Sequence, residues 1–183
     1  MKEDFAPISD QIWPLEIADM LSGFAGGLNV YRTMAHHPAL LKAWSDLRDH
    51  VVNQTTLGAE RSEVVILRTG MRLGSSYEWH QHIVRGRKSG LSDARIARLS
   101  GPVNEIDGDD AHLAKAVDEL FEKSRLSEAT YASLKPMIGK LGILDLIATA
   151  GFYSTLGFIL NTFETPLDQD IADALKENPL RDA

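Results

Sequence analysis

The sequence of 183 residues predicts an all-α helical domain; three observations carry that prediction. Apolar residues return at helical spacing in one segment after another. The segments are bounded by Gly, Pro or a Ser suited to capping. No run alternates apolar and polar residues for long enough to build a sheet.

Taken in order, "DQIWPLEIADMLSGFAG" gives a short helix or turn after Pro14, then a helical stretch that fades at Gly26 and Gly27. "PALLKAWSDLRDHVV" starts with Pro38 at a favourable first-turn position, and Leu40, Leu41, Trp44, Leu47 and Val51 recur at helical spacing. "TTLGA" is the break. "ERSEVVILRTGMRL" is the next helix, with acids early and Arg72 late, as the helix dipole favours. The chain restarts at Gly74-Ser75-Ser76, and "YEWHQHIVRGRKSG" forms a helix closed by Gly90. Ser92 caps "DARIARLSG", which stops at Gly101-Pro102, and "PVNEIDGDD" reads as a loop. In "AHLAKAVDELFEKS", Leu113, Val117, Leu120 and Phe121 form one apolar stripe. Ser127 caps "EATYASLKPMIGK", a long apolar helix follows over about 141–163, and 164–183 is a polar tail with room for a short helix.

Composition bounds the function. A hydrophobic share of 44% suits one compact domain over 1–183, and no Pro/Gly/Ser-rich linker divides it. The net charge of −7 argues against a nucleic-acid surface, because a phosphate backbone would be repelled. There is no cysteine, which removes disulfides, thiolate nucleophiles and Cys-ligated zinc together. "MKEDFAPISD" lacks the basic start and apolar core of a signal peptide, so a cytoplasmic location is the expectation. The charge-free run "LIATAGFYSTLGFILNTF" could pass for a membrane span, yet it carries Thr, Ser and Asn and has no second span beside it. The expectation is the central helix of an α-domain, not a membrane partner.

The chemistry concentrates in "GSSYEWHQH". At about 100° per residue, Glu78 and His82 lie about 40° apart and one turn away, with Ser75 near both. His80 projects about 160° from His82, so one metal cannot easily take both from one helix. If the two helices around the Gly-Ser connection pair, Glu63 approaches His82. A carboxylate beside an imidazole raises its pKa and fixes its tautomer, as proton transfer requires. The same spacing also suits a surface Glu–His pair. Arg72, like Arg68, could take a substrate carboxylate or could be an ion-paired helix residue. Tyr77 and Trp79 could wall a pocket or pack a core. Tyr153 and Asn161 are either satisfied interior groups or pocket lining. His36 and His37, before Pro38, read as cap or loop residues.

Residues 60–99 resemble the carboxymuconolactone decarboxylase family and its alkylhydroperoxidase D-like relatives, and "NVYRTMAHHPALLKAW" is similar to a long branch of that superfamily. Residues 38–101 would then be the family core. The resemblance implies an all-α, generally oligomeric protein. Redox members carry a glutamate, a Cys-x-x-Cys pair and a histidine four residues on; laid on that pattern, the glutamate is Glu63 and the histidine His82. The cysteine positions fall on Ser75 and Glu78, so the dithiol couple, and with it thiol peroxidase activity, is expected to be absent.

These readings make His82, Glu63 and Glu78 the candidate catalytic residues and Ser75, Arg72, Trp79 and Tyr77 the candidate substrate contacts. The expected activity is a cofactor-free decarboxylase-like lyase or proton-transfer enzyme acting, as a homo-oligomer, on a small carboxylated or lactone-type metabolite. Two alternatives stay open: a non-catalytic helical oligomer binding a small hydrophobic acid, and a metal-dependent enzyme using Glu63, Glu78 and His82.

Overall fold

The computed structural model describes residues 2–180, so Met1 and the end of the expected tail, 181–183, lie outside the described residues. Among the described residues every regular element is helical, as expected. The α-helices are α1 Phe24–Gly27, α2 Asn29–Met34, α3 Pro38–Asp49, α4 Ala59–Leu73, α5 Ser76–Lys88, α6 Asp93–Arg98, α7 Gly108–Lys123, α8 Glu128–Phe163 and α9 Gln169–Glu177. Short 3-10 turns precede α1, and α3 runs into a π-helical turn, His50–Gln54.

The centre of the fold is the α4–α5 hairpin with α8 laid across it. Gly74 ends α4 in the left-handed conformation (φ 59°), a geometry that costs glycine least. Ser75 then caps α5, its Oγ accepting the Glu78 N–H at 3.5 Å. The two helices come close at Gly70, where a Cβ would stand 3.2 Å from the Glu78 Cβ and 3.4 Å from the Trp79 nitrogen. This closeness lets a side chain of α4 reach one of α5.

Two apolar cores meet along the hairpin. One joins Val64, Leu67, Ile83, Ile96, Leu113, Val117, Leu134 and Leu146. The other joins Ile17, Val30, Tyr31, Leu41, Tyr77, Phe152, Tyr153 and Leu156, bringing the N-terminal third of the chain onto α5 and the end of α8. Helix α8 breaks at Gly139 (φ 65°, ψ −174°), close to the expected division between the capped segment and the long apolar helix. By length and composition α8 could cross a membrane, but 56% of its most apolar window is buried inside the fold.

The structure differs from the sequence reading at several points, and the expected loop over 102–110 holds a 3-10 turn, Val103–Glu105, and the start of α7 at Gly108. Residues 29–34 form a helix that the periodicity does not announce, because six residues are under two turns. The tail is not only polar: Ile171 of α9 and Asp168 before it are buried. Asp168 accepts the Asn29 N–H at 2.8 Å and hydrogen bonds from the Tyr77 hydroxyl and the Gln81 amide. Its partners are far away in sequence, so no local pattern could reveal them.

Candidate active site

One face of α5 carries Glu78, Gln81, His82 and Arg85, which recur at the three- and four-residue spacing of a helix face. Tyr77 borders this face. The side chains turn into the seam between the two cores, where α2, α3 and α8 cover them. The resulting cavity is about 20 Å³, the space of one water molecule, and Tyr31, Arg48, Tyr77, Glu78, Gln81, His82, Arg85 and Tyr153 are among its walls.

His82 is 3% exposed and lies between two carboxylates. Its Nδ1 stands 2.7 Å from Glu63 Oε2, and its Nε2 stands 3.5 Å from Glu78 Oε2. The Tyr153 ring meets the imidazole edge-on at 5.0 Å. Burial alone would lower the His82 pKa; the charge and hydrogen bond of Glu63, and then those of Glu78, outweigh it and raise the pKa. A proton on Nδ1 donates to Glu63, and Nε2 is turned towards Glu78.

The phenols around it stay protonated. Burial pushes Tyr31 up to about 12 against the pull of the Arg48 guanidinium. Burial also raises Tyr153 and Tyr77, the latter with help from Asp168. They act as hydrogen-bonding walls, not as bases at neutral pH.

Of the residues expected as substrate contacts, only Tyr77 lines this cavity. Ser75 is the α5 cap, buried at the hairpin. Trp79 packs against the first core. Arg72 pairs with Glu122 at 3.2 Å and lies 3.7 Å from Asp118. Its helix turns it towards α7, away from His82, so the cations of the cavity are instead Arg48 of α3 and Arg85 of α5. Arg68 is a buried strut, with a bidentate pair to Asp118 at 2.8 and 2.6 Å and bonds to the Leu99 and Gly101 carbonyls. Asn161 donates to the Leu73 carbonyl at the end of α4. His80 bonds Ser76, while His36 and His37 line a separate apolar groove with Phe5 and Phe163.

The sequence does contain a signal for Arg85, one turn beyond Gln81 on the polar face. Arg48 has none, because it arrives from another helix. Among the described residues no three His, Asp or Glu side chains converge in a metal-holding arrangement.

A larger cleft, about 440 Å³, lies between Gly58, Arg61, Arg95 and Asp109. Its charges are already paired, Arg95 with Asp110 and Glu60 and Arg61 with Asp109. The small cavity is different. Glu78 Oε1, Gln81 Oε1 and Arg48 Nε are buried at its wall residues without a hydrogen-bond partner, an arrangement that costs stability and points to a ligand.

The carboxymuconolactone decarboxylase family model matches residues 38–122. No curated protein matches the sequence. Among solved structures, an alkylhydroperoxidase AhpD core, an uncharacterized peroxidase-related protein from Ralstonia eutropha JMP134, superposes with a TM-score of 0.74 at 14% identity, over 91% of this chain and 94% of its own. The debrominase Bmp8 superposes with a TM-score of 0.72 at 11% identity, over 94% of this chain and 96% of its own. A cysteine-to-alanine variant of that debrominase, in complex with 2,3,4-tribromopyrrole, gives 0.68 at 12% identity with the same coverage, 94% and 96%. At such identities the likeness concerns the fold.

Proposed function

From the match of residues 38–122 to the carboxymuconolactone decarboxylase family model, within an alkylhydroperoxidase D-like fold, we propose that this protein is a cofactor-free proton-transfer enzyme. Its reaction is the decarboxylation of a small carboxylated or lactone-type metabolite. The observation that carries the reading is His82, buried with a carboxylate at each ring nitrogen on the wall of a small cavity. Thiol-dependent peroxide reduction is no part of it, since the chain has no cysteine.

In a β-keto or vinylogous acid, the bond from carbon to carboxylate breaks, carbon dioxide leaves, and the electron pair moves onto the carbonyl as an enolate. The His82 imidazolium gives its Nε2 proton to the carbon and is left neutral, to be recharged from solvent. Glu63 keeps hold of Nδ1–H and stabilises the charged form. Glu78 stands beside Nε2 and can carry the returning proton. As further parts of this reading, the protein works in the cytoplasm and as a homo-oligomer.

The test is carbon dioxide release from a panel of carboxylated lactones and β-keto acids. For His82→Ala, kcat/KM is expected to fall by about 10²–10⁴ with fold and oligomer size intact. Equal turnover in both proteins would remove His82 from the role. A second reading, a helical module that binds a small acid without converting it, draws on the small volume of the cavity. Acid binding without carbon dioxide from any acid of the panel would favour it.

A further inference from the structure

We infer that the cavity is built for a small hydroxy or enolic carboxylate, its anion held by Arg48 and Arg85 and its hydroxyl turned to Glu78 and Gln81. The inference deepens the proposed function and rests on the reading of this cavity as the reacting site.

Charge comes first. Two guanidinium groups, Arg48 and Arg85, line the cavity, while Glu63 and Glu78 both engage the His82 ring. A pair of guanidinium groups on one cavity matches a carboxylate. The next acid, Asp168, stands behind Tyr77 and Gln81, where it receives Asn29, Tyr77 and Gln81. Both arginines are half-buried, and a carboxylate between them accepts directed, charge-assisted hydrogen bonds.

Polar satisfaction comes second. Arg48 Nε is a buried donor without an acceptor, whereas Glu78 Oε1 and Gln81 Oε1 are buried acceptors without a donor. Glu78 and Gln81 are each only 3% exposed, so bulk solvent does not reach them. A simple carboxylate satisfies the arginine and leaves both acceptors orphaned. A hydroxyl on the same molecule supplies a donor to one of the two acceptors, which distinguishes a hydroxy or enolic acid from a plain one.

The entry point is also marked. The Arg48 guanidinium lies 4.6 Å over the Phe24 ring, and Leu28 and Val30 complete that wall. A cavity of about 20 Å³ admits such an acid only if this wall moves, and Val52, in the π-helical turn after α3, lies on the same side. Arg48 is thus both the anchor and part of the covering wall.

The experiment is a titration of the full chain with acetate, glycolate and acetamide, read from the arginine side-chain Nε–Hε NMR resonances. The Arg48 and Arg85 signals are assigned by their loss in R48Q and R85Q. Acetate is expected to shift both signals saturably and acetamide neither; glycolate should bind tighter than acetate by about three- to tenfold, one hydrogen bond's worth. R48Q and R85Q should each weaken acetate binding by about tenfold or more. Acetamide matching acetate in the wild type, a result that needs no variant, would overturn the anchor. Unchanged acetate affinity in well-folded R48Q or R85Q would do the same. Glycolate binding no tighter than acetate would overturn the hydroxyl contact. Carboxylate binding in a protein that releases no carbon dioxide sinks the proposed reaction and spares the anchor. Turnover without carboxylate binding at the arginines does the reverse.

Discussion

At the scale of single residues, His82 couples the site to stability. Its pKa is raised in the fold above the ordinary value, near 6.5. Its contribution is therefore complete below pH ~6.5 and is lost as pH rises through the higher folded value. Urea unfolding followed from pH 5 to 9 should show this decline in the wild type and a flatter profile in His82→Asn. An equal slope in both proteins would refute the assignment. The approach of Glu63 to His82 was legible in the sequence because a short turn joins the two helices and helical periodicity fixes which faces meet. Arg48, Tyr153 and Asp168 were not legible in that way. They come to the cavity from separate helices or, for Asp168, from the loop after α8, and no rule of local spacing connects them with α5. Arg72 was open to two readings, a guanidinium for a substrate carboxylate or an ion-paired helix residue, and its rotation about α4 takes it to Asp118 and Glu122.

At the scale of elements, Asp145 fastens the π-helical turn and the loop after it to α8. Its carboxylate accepts His50 Nε2 at 2.8 Å, the Thr56 N–H at 2.6 Å and the Thr56 hydroxyl at 2.7 Å. Burial would raise its pKa, but the Thr56 N–H, His50 and the Thr56 hydroxyl outweigh burial and lower it. This stabilisation is present above the ordinary carboxylate range and is lost as pH falls through the lower folded value. Asp145→Ala should cost about 2 kcal/mol at pH 7 and much less near pH 2, as read from denaturant midpoints. A deficit unchanged in acid would show that the clamp acts through packing instead. The borders of α4 and α5 were readable because Gly and Ser mark them. The existence of α2 was not, since its six residues are held by contacts with α8 and the N-terminal segment more than by their own pattern.

For the molecule as a whole, the periodicity and the lack of alternation were enough for the fold class, which depends on averages over many residues. The surface of α8 raises a further expectation. Leu141 and Leu144, just before Asp145, and Phe158, in the charge-free stretch after it, are 67%, 65% and 60% exposed on α8. Such an exposed apolar face suits contact with a second copy of the chain. In sedimentation velocity the wild type should run larger than the 20.2 kDa monomer, and the double substitution Leu144→Glu with Phe158→Glu should release monomers. A wild-type monomer at micromolar concentration would exclude this form of assembly.

Asp168 also sets an order in time. Of the residues that build or brace the cavity, it is the last to be synthesised, and its hydrogen bonds to Asn29, Tyr77 and Gln81 span 139, 91 and 87 residues. A nascent chain can form the α4–α5 hairpin and bring Glu63 to His82 while the tail is still unmade. The brace behind Tyr77 and Gln81 can arrive only afterwards. Translation thus delivers the residues of the proton-transfer pair early and the support of the cavity wall late, so a chain cut short between the end of α8 and Asp168 would carry the pair but lack that backing.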